Sequence, residues 1–204
     1  MVGDVVLDAP VDWTGENPGV YLKDDPEGEW ITLGSFFRVF VSPHGPGTAM
    51  LLLASPGEAS GSDTAPNVCI TDNEPLARWL VNDFAANFGF FRGSPALSGL
   101  PYVALASAER GGGAVTTYSE TVSGGGYDVR LDWRGVGEPF ALVIPKDTSA
   151  TGKHTILSLF VGAEGGTATL NGRQLPGEAV PHNAFGQQIT SAFLAFSETW
   201  VRHD

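Results

Sequence analysis

The chain has 204 residues, 42% of them hydrophobic, which suits one domain with an ordinary core. A formal charge of −12 at pH 7 leaves no basic stripe to neutralise phosphates, which argues against nucleic acid and anionic membrane as partners. The 27 glycines and 14 prolines follow no period, so they read as turn punctuation between short strands and give an all-β leaning.

Residues 1–18 are acidic and rich in proline and glycine, an N-terminal arm ahead of a single domain over residues 19–204. The start "MVGDVVLDAPVDW" has neither the basic region nor the apolar run of a signal peptide. One cysteine, Cys69, cannot form an internal disulfide, and no stretch has the apolar length of a membrane span. A cytoplasmic protein is expected.

After "GVYLK", the runs "EWITLGSFFRVFVS" and "GTAMLLLAS" read as strands joined by "PHGPG". The polar stretch 56–66, "PGEASGSDTAP", is a candidate mobile flap, and "NVCIT" is a short strand. Asp72 or Asn73 can cap a helix that tolerates Pro75 in its first turn. Leu76, Trp79, Leu80, Phe84 and Phe88 recur at three and four, which predicts one α-helix over about 73–88 with Gly89 as its left-handed cap.

Strand patterns then return in "YVALASAE", "VTTYSETV", "YDVRLDW", "FALVIP", "HTILSLFVG", "TATL" and "AFLAFSETWV". The glycines of "RGGGA" and "SGGGY" read as hairpin turns. "GSFFRVFVS" is apolar on both faces, with Phe37, Val39 and Val41 on one and Phe36 and Phe40 on the other. The expected fold is therefore mainly β, an antiparallel meander closed into a barrel or cone, with the one helix covering part of the outside.

Two strands carry a glutamate between apolar residues, "YSETV" and "FSETW". In regular strands Tyr118, Glu120 and Val122 share one face, and Phe196, Glu198 and Trp200 share another. If the sheet closes, Glu120, Glu198 and Arg38 converge on its interior, where burial raises a carboxyl's pKa and an arginine lowers it. Glu120 and Glu198 are thus the candidate catalytic acid and base. A structural ion pair, or glutamates at solvated strand ends, is the competing account. Tyr118, Trp200, Phe36 and Phe40 are the candidate substrate-binding walls. His44, His154, His182 and His203 show no metal-ligand spacing, and no Gly-x-Ser-x-Gly turn occurs, so no metal, no cofactor and no serine nucleophile are expected. His44 and His182 lie on loops and read as surface imidazoles.

"CITDNEPLARW" resembles the acetoacetate decarboxylase-like family, in which a strand ends in a similar Asp-Asn-Glu-Pro step, enters a short helix and emerges in a motif with a Schiff-base lysine. "GSFFR" resembles that family's strand upstream, and "TTYSETVSGGGYDVRLDW" the hairpin downstream, so the likeness spans roughly residues 33–145. It implies a cone- or barrel-like sheet around an apolar pocket for a small organic acid or carbonyl compound. Two departures matter. "GFFRGSP" offers Arg92 where the family has its lysine, and Arg38 stands where the family has a pocket glutamate. Arginine stays protonated and forms no imine, so Schiff-base chemistry is not expected there. Arg38 and Arg92 would instead bind a carboxylate as forked donors.

The leading expectation is a cofactor-independent enzyme performing lyase-, isomerase- or hydratase-type proton transfer on a small, mostly apolar molecule with a carbonyl or carboxylate. The alternative is a lipocalin-like binding protein that holds such a molecule unchanged. A third reading is a homo-oligomer in which a partner subunit covers the two-sided strand.

Overall fold

The computed structural model describes residues 9–112, 116–184 and 186–203. The first half comprises β1 (Val11–Glu16), β2 (Gly19–Lys23), β3 (Trp30–Val41), β4 (Gly47–Leu53), β5 (Gly61–Ser62) and β6 (Ala65–Thr71), then α1 (Glu74–Trp79). The second half comprises β7 (Tyr102–Gly111), β8 (Thr117–Gly124), β9 (Tyr127–Val136), β10 (Phe140–Ile144), β11 (His154–Leu170), β12 (Arg173–Gln174), β13 (Pro181–Ala184), β14 (Gln187–Thr190) and β15 (Ala192–Arg202).

The main sheet closes on itself. Its strands run β15, β2, β3, β4, β6, β7, β8, β9 and β11, and β11 pairs back onto β15. β1 lies across the seam against β15 and β3, and β10 adds to the free side of β11. The expected arm is therefore divided, with residues 1–8 outside the described residues and Val11–Glu16 built into the sheet. The sheet is mixed, not wholly antiparallel as expected. The helical insertion carries the chain across between β6 and β7, so β7 enters beside β6 in the same direction and pairs with it in parallel.

Closure gives the sheet two distinct apolar faces. The inner face gathers Val20, Leu22, Phe36, Met50, Leu131 and Trp133, among others, into one core. Contacts between non-adjacent strands identify this face as the interior: the Trp133 indole N–H donates to the Gly19 carbonyl at 2.9 Å. A Cβ on Gly34 would stand 2.6 Å from a Leu131 methyl, which would have to move aside, so the two strands cross closely there. The outer face carries Trp13, Leu33, Phe37, Leu51 and Trp200 and is roofed by Leu76, Leu80, Phe84 and Phe91 from the helical insertion. Both faces of β3 are covered within the chain, Phe36 inside and Phe37 outside, so its pattern calls for no partner subunit; only Phe40 and Val41 at its end are exposed.

The insertion begins as expected. Asn73 caps α1 by accepting the Leu76 N–H at 3.2 Å, and Pro75 sits in the first turn. α1 then widens into a π-helical turn over Leu80–Phe84 and tightens into a 3₁₀ turn over Ala85–Asn87. The left-handed glycine comes later than expected, at Gly93 (φ 78°). The Gly125–Gly126 turn has positive φ at both residues, the type I′ geometry that suits a two-residue hairpin. The "RGGGA" turn falls partly outside the described residues. "HTILSLFVG" and "TATL" form one strand, β11, which pairs with β10 and β15 through its first part and with β9 through its second. Among the described residues no helix is long and apolar enough to cross a membrane.

Candidate functional site

The two glutamates lie on opposite faces of the sheet. Along β15, Leu194 and Phe196 face inward, and strict alternation would send Glu198 and Trp200 inward too. A bulge intervenes. Leu157 pairs with Thr199 and Leu159 with Phe196, so Ser197 and Glu198 together oppose one residue of β11, and Ser197 takes φ 50°. One extra residue exchanges the faces of everything that follows. Trp200 consequently joins the outer core, and Glu198 faces a cavity there. The expectation that Phe196 shares a face with Glu198 and Trp200 fails for this reason.

Glu120 stays inside and is fully buried. The Arg38 guanidinium grips it with two bonds of 3.0 Å, Arg110 Nε donates at 3.2 Å, and the Tyr118 hydroxyl donates at 2.5 Å. Glu16 completes the cluster, accepting from Arg38 at 2.6 Å and from Arg110. Burial pushes the Tyr118 hydroxyl well above its ordinary pKa, and the Glu120 bond adds to the rise. For Arg38, burial acts downward but is outweighed by Glu120 and Glu16, which lock the guanidinium charged. The Phe36 ring lies 4.7 Å beneath Arg38 and supports it by a cation–π contact. Three of the donor contacts to Glu120 fall on Oε1 and one on Oε2, and Glu120 lines neither of the cavities described below. Arg38, Tyr118 and Phe36 thus belong to a structural cluster, and Phe40 is exposed at the strand end.

Glu198 stands in different surroundings. Its cavity, about 350 Å³, lies between the outer sheet face and residues 87–92 of the insertion. Phe88 and Phe90 come from the insertion, Leu142 and Ile144 from β10, Ile156 and Phe160 from β11. The Trp200 indole N–H donates to Glu198 Oε1 at 2.7 Å, and the Asn17 side chain lies close enough to favour the ionised carboxyl. Burial pushes the Glu198 carboxyl up to about 7, with Trp200 and Asn17 restraining the rise. Trp200 is clamped by stacking on Trp13 at 5.8 Å and by the edge of Phe84 at 4.9 Å, which fixes its N–H on the carboxyl.

Arg92 lies exposed on the lining and donates to the Asn87 carbonyl at 2.7 Å. It is thus at the rim, away from the sheet floor. His182 is half-buried on the same lining, not a solvated surface group as its loop suggested; burial lowers its pKa and favours the neutral ring. Tyr21 also lines the cavity, and its hydroxyl is engaged with Ser35 at 2.8 Å. None of residues 56–66 lines it. Asn17, Tyr21, His182 and Phe193 were not anticipated, because contacts of such long sequence separation leave no local pattern.

A second, polar cavity of about 330 Å³ involves Asp12, His44, Trp79, His154 and Arg202, and Asn87 lines both cavities. His154 Nε2 meets Asp12 at 2.7 Å and its Nδ1 meets the Thr151 hydroxyl at 2.7 Å, a chain that ties β1 to the start of β11. Cys69 is fully buried and its thiol is pushed up to about 12 by burial, so it acts as a small hydrophobe. Among the described residues, no group of three or more His, Cys, Asp or Glu side chains is placed to hold a metal ion. Compared with known proteins, the chain matches no family model, no curated protein and no solved structure.

Proposed function

We propose that the chain is a lyase- or isomerase-type enzyme that holds a small, mostly apolar molecule in the outer-face cavity, where Glu198 exchanges a proton with it. One observation carries this reading: a buried carboxyl, raised to about 7, on the lining of an otherwise largely apolar cavity. A carboxyl that titrates near neutrality is available both as acid and as base. The strained backbone at Ser197 adds support, since such conformations cluster where a side chain must be aimed. Glu120 has no part in the chemistry, so Glu198 must give and take the proton alone. The acetoacetate decarboxylase-like resemblance enters only as architecture, an enclosed sheet with an apolar pocket and no Schiff-base lysine at the family's position.

The argument for a carboxylate substrate depended on two forked arginines. Arg38 is committed to Glu16 and Glu120, and Arg92 is at the rim, so neither meets a ligand at the floor. A non-catalytic binding protein is the second reading, favoured by the capture of the second carboxyl by arginine. Deuterium exchange separates the two. Molecules found to bind are incubated with protein in D₂O and followed by proton NMR. An enzyme incorporates deuterium at a carbon position, and Glu198→Gln abolishes this even at concentrations of the molecule that saturate the variant. Binding without exchange in the unaltered protein would leave the chain as a binding protein.

A further inference from the structure

The floor of the cavity carries a specific hydrogen-bonding demand. Asn17 is 5% exposed, and its backbone N–H is fixed on the Ala195 carbonyl at 2.9 Å. Its side-chain amide lies near Glu198 and favours the ionised carboxyl, the effect of an N–H group turned toward it. Its Oδ1 is buried and receives no hydrogen bond. A buried acceptor left open is uncommon in folded proteins. Beside it, one oxygen of Glu198 takes the Trp200 indole, and the carboxyl keeps acceptor capacity beyond that bond. Both polar groups at the floor therefore call for donors.

Among the described residues that line the cavity, no cation answers that call. Arg92 is exposed and turned to the Asn87 carbonyl, His182 is held toward neutrality by burial, and the Tyr21 hydroxyl is occupied by Ser35. Tyr21, Phe88, Phe90, Phe193 and Trp200 supply aromatic surface around the space. Aromatic faces attract cations that have been stripped of water, and the net charge of −12 draws cations to the protein.

We propose that the molecule held in this cavity carries an amine, protonated as ammonium, on an apolar body, with its N–H groups on Glu198 and Asn17 Oδ1. This rests on the reading of the cavity as a small-molecule site and names the polar head of its ligand. A carboxylate head would face two acceptors, and a ketone would leave Oδ1 as empty as before. Because the amine is a donor on every face, one nitrogen can serve both residues while its apolar body fills the aromatic wall.

The test titrates the full chain, by calorimetry, with three probes of one apolar body: 2-phenylethylamine, 4-phenylbutan-2-one and 3-phenylpropanoate. The amine is expected to bind at least about tenfold more tightly than the other two. Glu198→Gln weakens the amine by about tenfold or more and leaves the ketone within about twofold, which separates loss of the charge from loss of the fold. In the unaltered protein, amine affinity rises about tenfold per pH unit and levels near pH 7, because below that point binding must expel the Glu198 proton. Equal or tighter binding of the ketone or carboxylate would overturn the amine assignment while leaving the cavity as a site. So would an amine affinity indifferent to both Glu198→Gln and pH. Silence with all three probes would overturn the cavity reading and the amine with it.

Discussion

Glu120 and Glu198 sit in the same local sequence, Ser-Glu-Thr, and are both buried, yet the fold surrounds them in opposite ways. On the inner face, Glu120 is met by two guanidinium groups and a phenol, which engage both of its oxygens. On the outer face, Glu198 is met by an indole N–H, with the Asn17 amide near it, and neither group carries a charge to cancel its own. Burial alone does not make a carboxyl chemically useful. What decides is whether the donors around it carry charge: cations fix the ionised form, whereas neutral donors leave the proton free to come and go.

The largest effect separating the two faces is expected at Glu120. Glu120→Ala removes the anion between Arg38 and Arg110 and leaves Glu16 alone to balance both. Breaking a buried pair from one side costs about 3–5 kcal/mol, and chemical denaturation of the variant should show a loss in that range. A loss below about 1 kcal/mol would mean that the cluster is decoration on the sheet. Any proton exchange measured in the outer cavity should survive in the folded fraction.

A somewhat smaller effect belongs to Glu198 and depends on pH. Its folded pKa, about 7, lies above the ordinary 4.5, so the folded state binds this proton more tightly than the unfolded state. The associated stability is complete below pH 4.5 and is lost as pH rises through 7. A rise of that size corresponds to about 3 kcal/mol. Denaturation midpoints compared at pH 5.5 and 8 should therefore fall with rising pH in the native chain, and Glu198→Gln should remove most of that fall. A native profile that matches the glutamine variant would show that Glu198 is already ionised at pH 5.5.

What the sequence reveals differs between the two faces for physical reasons. The helical insertion was readable because the spacing of Leu76, Leu80 and Phe84 and the cap from Asn73 are signals that lie within a few residues of one another. The Gly125–Gly126 turn was readable because positive φ there selects glycine. Arg38 and Glu120 were visible as opposite charges on apolar strands, although pairing across 82 positions cannot be read from alternation. The bulge at Ser197 left no mark, since a serine fills a conformation usually given to glycine or asparagine and the apolar pattern continues past it. That one residue decided which face received Glu198. The parallel pairing of β6 with β7 was equally hidden, because pattern gives a strand's faces and not its neighbours.

The smallest effect tests that bulge directly. Ser197 is exposed and holds φ 50°, where a side chain's Cβ crowds its own backbone at a cost of about 1 kcal/mol. Glycine removes the crowding but adds freedom to the unfolded chain worth about 0.5–1 kcal/mol, so the two terms nearly cancel. Ser197→Gly should thus leave the melting temperature almost unchanged, and the Glu198 titration followed by carbon-13 NMR should stay where it was. Ser197→Val, with a branched Cβ in the same conformation, should destabilise by about 1–2 kcal/mol. If instead glycine destabilises as much as valine, the serine hydroxyl and not the strand pairing holds the bulge. The exchange of faces would then hang on a single side chain, and the Glu198 titration should shift in Ser197→Gly as the carboxyl leaves its cavity.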